Sequence, residues 1–281
     1  MKVHIIIDST TNFNEAIRDE LDIIPLTVCF GEEEYIDGVT INNTEFYQKL
    51  IESDTLPKTS QATPACYTGL FEEIVNAGDT AVVVSLSSKL SGTCQSAIIA
   101  AEDYKDSIYV VDSNNVTVGA GVLAEYAVRL RNQGMDAKSI ADELNEKKDK
   151  VRLLALLDTL EYLARGGRIS SAAAFAGGLL SVKPVVCVTD GEIQVLGKAR
   201  GSKQGNNYLV QEIQKAGGVD FDMPVILGYT GLSDHILKKY IEDSKSMWVD
   251  SREELNSAIV GSVVGTHVGP GAIAVAFFAK E

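Results

Sequence analysis

Cysteine is scarce in this chain. The four residues, at positions 29, 66, 94 and 187 of 281, form no CxxC pair. A chain of this length needs no disulfide staples, and scattered thiols fit a reducing compartment, so a cytoplasmic protein is expected. Histidine is scarcer, with three residues, and neither an H-E-x-x-H pattern nor Cys/His ligand spacing occurs, so no metal site is expected. Positive charge is also short: 25 Lys plus Arg stand against 39 Asp plus Glu, a formal net charge of -14. A field of that sign repels phosphate backbones and anionic head groups, which excludes nucleic acid as a partner. It also means that any anion site must be local, built from a few inward donors.

Long hydrophobic runs are missing. The apolar start reaches a charge at Asp8, too soon for a secretory signal. The longest weakly polar stretch, 170–182, is mostly Ala and Gly and falls short of the ~20 residues needed to cross a bilayer, so neither export nor stable membrane insertion is expected. Nucleotide and hydrolase signatures fail as well. Residues 119–124 imitate a dinucleotide fingerprint without its strand spacing or its acidic partner. Residues 191–198 resemble a P-loop with five intervening residues and no Ser or Thr after the Lys. No G-x-S-x-G elbow occurs.

Apolar residues at 45% and charged ones at 23% give an ordinary packed globular composition. Several short Val- and Ile-rich runs, clearest at 3–7, 81–85 and 108–111, end in Asp, Ser or Gly and alternate with amphipathic stretches at 44–53, 67–76 and 121–133, as buried parallel strands and their covering helices do. The charged segment 136–150 has an apolar stripe at Ile140 and Leu144 only. It predicts an exposed helix and a domain boundary near residue 150, giving domains 1–150 and 151–281. The second half predicts a strand at 151–157, a small-residue helix at 171–180, a hairpin of 185–188 and 193–196 turned by Asp190-Gly191, strands at 225–228 and 272–278, and helices at 234–242 and 253–264.

Two hydroxyl clusters stand out. SLSSKLSGTCQSA, from Ser85, follows a buried strand and opens a helix at Ser91-Gly92-Thr93. KTSQATP, from Lys58, precedes the helix at Tyr67. Helix N-termini carry free N–H groups and a positive dipole, so hydroxyls there can hold an oxyanion, although the same residues also serve as plain caps. If both clusters lie at the carboxyl edge of one parallel sheet, they converge where open α/β sheets bind ligands. His267 lies in GTHVGPG, read as a Gly-rich loop, where an imidazole can bond an anion. Arg168 follows Gly166-Gly167 and can offer a bidentate fork. Arg165 is a weaker neighbour, and Arg200 sits in a basic strip past the hairpin.

Seven segments in one order, DST at Asp8, KTSQ at Lys58, SLSSKLSGTCQSA at Ser85, VVDS at Val110, LEYLARGGRIS at Leu160, VKPVV at Val182 and VGTHVGPGA at Val264, resemble the DegV family of bacterial fatty-acid-binding proteins, which includes the FakB subunits of fatty acid kinase. The resemblance implies a three-layer α/β/α domain with a parallel sheet and a two-layer α/β domain with a mixed sheet, with an acyl chain between them. It implies a carboxylate held by Thr59, Ser91 and His267, with Ser60, Gly92, Thr93, Arg168 and Arg200 as candidate ligand or partner contacts. It further implies a carrier, with no cofactor beyond its lipid, that catalyses nothing alone and presents a long-chain fatty acid to a separate ATP-binding kinase subunit, which forms the acyl-phosphate. The small residues at 172–180 are then candidates for the tunnel lining. Asn12, Ala62 and Cys94 depart from what is common in the family, which bears on pocket shape. An autonomous hydrolase or acyltransferase using Ser91 with His267, and a sensor of another small anion, are the competing readings.

Overall fold

The computed structural model describes residues 1–169, 182–251 and 254–280. Its first layer system is a parallel sheet of β2 (Leu21–Ile24), β1 (Val3–Asp8), β6 (Thr80–Ser85) and β7 (Ile108–Asp112), in that spatial order. The central strands β1 and β6 carry consecutive apolar residues, at 5–7 and 81–84, because both faces are covered. Ile5, Ile7, Val82 and Val84 pack against α4 (Thr117–Asn132) and α5 (Ala137–Lys147). Ile6, Ala81 and Val83 pack on the opposite face with Tyr67, Phe71 and Ile74 of α2 (Pro64–Asn76) and Ala97 of α3 (Thr93–Ala100). Tyr67 and Phe71 are fully buried, and each side chain removed from water is worth about 1.5–3 kcal/mol.

The helix starts follow local chemistry. Pro64 opens α2, where its missing N–H costs nothing. Asp136 accepts from Ser139 N at 3.0 Å and starts α5, which buries Ile140 and Leu144 as the pattern predicts, with Ala137 and Ala141 beside them. α1 (Asn43–Glu52) carries a reciprocal capping box between Asn42 and Glu45.

The second system is a six-stranded mixed sheet in the order β10 (Glu192–Arg200), β9 (Val182–Thr189), β8 (Val151–Leu156), β13 (Ile273–Phe278), β11 (Val225–Tyr229), β12 (Asn256–Ile259). Asp190 and Gly191 both have positive φ, 51° and 79°, as the Asp-Gly hairpin requires. One face packs on α7 (Gly201–Lys215) and α8 (His235–Asp243) through Leu209, Ile213, Leu237 and Tyr240. On the other face Leu153, Ile226, Ala274 and Ala276 share a core with α4. α4 is therefore buried nearly all round, between the two sheets.

Two expectations are corrected. The helix expected at 253–264 is, over the described residues, β12 followed by α9 (Ser262–Val268), because 256–259 pairs in parallel with β11 and the chain turns helical only after the extended N-cap Gly261. Lys58–Ser60 forms β5, which joins β3 (Thr27–Phe30) and β4 (Glu33–Ile36) in a small antiparallel sheet. The two hydroxyl clusters therefore do not belong to one sheet. The helix expected at 171–180, and with it the tunnel lining expected at 172–180, lies outside the described residues.

Candidate functional site

The space between the two sheets forms a cavity of about 240 Å³ with mainly apolar walls. Leu86, Leu90 and Val116 come from the parallel side. Ala155, Val186, Gly228 and Ala274 come from the mixed sheet, and Val260, Val264 and Val268 from α9 and its approach. Thr59, Ser60, Gln61, Ser91, Gly92, Arg168 and His267 also line it and supply its donors. Thr59, Ser91 and His267, far apart in sequence, are thus brought to one cavity.

His267 is not on a loop. It sits in the last turn of α9, a short helix whose start is held from outside by Asp37. The buried Asp37 carboxylate accepts from Ser262 N at 3.3 Å and from Ser262 Oγ. An anion at this end completes the free N–H groups of the first turn. Burial pushes the Asp37 carboxyl above its ordinary range. At the other end of α9, His267 Nε2 lies 2.9 Å from Thr59 Oγ1. His267 Nδ1 has no partner among the described residues and faces Gly166, where any Cβ would overlap the ring. Gly166 is therefore fixed by close approach, and Gly167, at φ 67°, by the left-handed stop of α6 (Glu161–Gly166).

Burial, and next the charge of Arg168, hold the His267 pKa down at about 4, so the ring is neutral near pH 7. An orphaned buried N–H is rarer than an under-used acceptor, which favours the tautomer with its proton on Nε2. His267 then donates to Thr59 Oγ1, and the threonine hydroxyl proton is free to turn into the cavity. Ser91 is arranged alike. Its Oγ accepts from Thr93 N at 3.3 Å and lies 2.9 Å from Thr93 Oγ1. Thr93 is buried, does not line the cavity, and also accepts from Ala62 N at 3.3 Å, which ties the β5 segment to α3.

Arg168 reaches the rim, where its Nη1 donates to Gly166 O at 2.7 Å. Arg200 does not reach it. The hairpin places Arg200 at the end of β10 opposite Val182, away from the Asp190-Gly191 tip, and its backbone N bonds Gln204 Oε1. Gln61 is a site residue that the sequence reading passed over. Its amide donates to Ser96 Oγ at 3.3 Å and covers Gly92, where a Cβ would overlap it. The KTSQ string contained it, but only the geometry gives it a place. Ser91 is bonded to Thr93 and His267 to Thr59, and no acid orients His267 Nδ1 among the described residues, so the serine–histidine pairing that a hydrolase needs is not formed. Those residues also contain no group of three metal-ligating side chains and no helix long and apolar enough to cross a membrane.

Fold and site together define an α/β protein with a mainly apolar cavity between its parallel and mixed sheets, lined also by hydroxyl, imidazole and guanidinium donors. The family model described as uncharacterised protein, DegV family, matches residues 2–280. A DegV domain-containing protein of Caldanaerobacter subterraneus is 34% identical over 283 residues, covering 99% of both chains. Another, of Clostridium perfringens, is 31% identical over 285 residues, covering 100% of this chain and 99% of its own. The chain belongs to the DegV family. Among solved structures, a DegV family protein of Thermus thermophilus described by its fatty acid binding superposes with a TM-score of 0.89 at 27% identity, covering 100% of each chain. A stearic-acid-binding protein of Eubacterium ventriosum gives 0.85 at 29%, covering 98% of this chain and 97% of its own. DegV of Bacillus subtilis, a fatty acid binding protein, gives 0.83 at 30%, covering 100% of each.

Proposed function

We propose that this protein is a carrier for a long-chain fatty acid, whose carboxylate it presents to a partner kinase. The observation that carries the reading is a single cavity that joins apolar walls to the Thr59–His267 pair and the Ser91 hydroxyl. Each buried methylene contributes up to about 0.8 kcal/mol, so the acyl chain supplies affinity and the donors supply orientation. Thr59 and Ser91 donate to the carboxylate, His267 aligns Thr59, and Ser60, Gly92 and Arg168 border the exposed oxygen. In the transfer step that oxygen attacks the γ-phosphorus of ATP held by the kinase. The new carboxyl O–P bond forms as the bond from that phosphorus to the ADP oxygen breaks, and ADP leaves. The lipid-bound protein contributes position and no catalytic group.

The division of labour falls near residue 150: residues 1–150 carry the parallel sheet, Thr59 on β5 of the small antiparallel sheet and Ser91, and residues 151–281 carry the mixed sheet and cover the acyl chain, with His267 reaching back to the first part's site. Four free thiols support a reducing, cytoplasmic setting. The test is organic extraction of protein purified from a bacterial host, with mass spectrometry of the extract. A stoichiometric long-chain acid is expected, and an empty protein that also refuses added acid overturns the reading. For presentation, the loaded protein is mixed with ATP and a bacterial fatty acid kinase subunit. Acyl-phosphate is expected only with both, and its formation without the kinase subunit would overturn the presenting role.

A further inference from the structure

The mixed sheet aligns one cavity-facing residue from each of four strands. Its register pairs Gly228 of β11 with Ala274 of β13, Ala274 with Ala155 of β8, and Ala155 with Val186 of β9. All four line the cavity already described. Ala155 is only half-buried although β8 has a hydrogen-bonded neighbour on each side, because its methyl faces open space. Leu153 and Leu157, two residues to either side of Ala155, also line the cavity and form the banks of the row.

The row has a polar end and a closed end. Val186 clusters with Leu163, Leu90 and Val268, and the last two are the chain neighbours of Ser91 and His267. At Gly228 the space closes: a Cβ there would lie 3.2 Å from Val118 Cγ1 and 3.4 Å from Val260 Cγ2. The row crosses the strands, so its pitch is the strand spacing of about 4.8 Å, and the three steps from Val186 to Gly228 span roughly 14 Å.

We propose that this row is a ruler for acyl chain length. A straight alkyl chain lies across the strands from Val186 towards Gly228, and the wall at Gly228 sets the longest acid accepted. The proposal rests on the fatty acid reading of the cavity. With C–C bonds of about 1.52 Å at about 111°, an extended chain advances about 1.25 Å per methylene, so one strand spacing corresponds to about four methylenes. Moving the wall by one strand shifts the length limit by that amount.

The test measures displacement of a fluorescent fatty acid by straight saturated acids of increasing length, with wild type, Ala274→Leu and Ala155→Leu. For Ala274→Leu the longest tightly bound acid shortens by about four methylenes, and for Ala155→Leu by about eight. Acids beyond the new limit weaken by about tenfold or more, since each unburied methylene costs about fourfold, while shorter acids keep their wild-type affinity. That retained binding also reports an intact site. Should either leucine variant fail to fold, Ala274→Val and Ala155→Val keep the same order of effects with less added volume. Equal losses at every length, or an unmoved limit, overturn the ruler while the fatty acid reading stands. A wild-type protein that binds no acid of any length overturns both.

Discussion

Replacing Thr59 by valine removes a hydroxyl and little else. Valine matches threonine in shape and in preference for a strand, so β5 and its pairing with Val28 remain. In the free protein the loss leaves His267 with neither ring nitrogen bonded, since Nδ1 already lacks a partner among the described residues. A buried polar group without a partner costs about 1–3 kcal/mol, and in a chain of this size each kcal/mol lowers the melting temperature by about 2–4 °C. In the complex the carboxylate also loses one charged hydrogen bond, worth about 1.5–3 kcal/mol, or about tenfold to about 150-fold in affinity. The valine methyl fills the place of the hydroxyl, so His267 cannot reach the carboxylate instead. Calorimetric titration with a long-chain acid and a melting curve read the two effects separately, and Thr59→Ser, which restores the hydroxyl, recovers both. Affinity of Thr59→Val within about twofold of wild type would remove Thr59 from the site.

The depressed pKa of His267 makes stability depend on pH with a definite sign. The unfolded chain takes up this proton below about 6.5 and the folded protein only below about 4, so the neutral ring's contribution is complete above pH 6.5 and is lost as pH falls towards 4. Denaturation measured across that window therefore falls more steeply for wild type than for His267→Gln, which cannot titrate; parallel curves would show that the ring is not desolvated. Gly166→Ala drives a methyl into the imidazole, displaces it from Thr59 and weakens acid binding by about tenfold, whereas Gly167→Ala strains only the helix stop and costs stability, read by melting with affinity retained. Equal affinity in Gly166→Ala and wild type would detach His267 from the function.

Much of the frame was legible because its signals are local. The runs at 3–7, 81–85 and 108–111 are apolar on consecutive residues, as strands buried on both faces must be, and Asp190-Gly191 specifies its own turn. The helix expected at 253–264 failed because β12 is set by pairing with β11 in parallel, a contact that leaves no mark at short range. β5 has three residues and is a strand only because β3 lies beside it. Thr59, Ser91 and His267 could be picked out by residue type and by likeness to the family, yet their pairing could not. That Thr59, not Ser91, is bonded to His267 depends on α9, whose start is fixed by Asp37 from 225 residues away. Asn12 shows the same limit. It accepts from Thr117 Oγ1 at 2.7 Å and donates to Ile259 O at 3.2 Å, a double role that an ionised aspartate cannot fill.

The arrangement of charge around the cavity has its own logic. Under the proposed function, a lysine or arginine buried at the carboxylate would add affinity but would also neutralise the oxygen that the proposal assigns to attack phosphorus. Here the donors that reach the cavity from Thr59 and Ser91 are neutral, and the one imidazole behind them is kept neutral by burial. The arginine that lines the cavity, Arg168, stays exposed at the rim with Nη1 committed to a backbone carbonyl. Its charge lowers the proton affinity of His267 from outside. Under the same proposal an acyl chain would be held by its tail, with the length limit where the wall stands, and its head left nucleophilic. The proposed carrier must hold its cargo without quenching it, and apolar walls for affinity with neutral hydroxyls for orientation would meet both demands in one cavity.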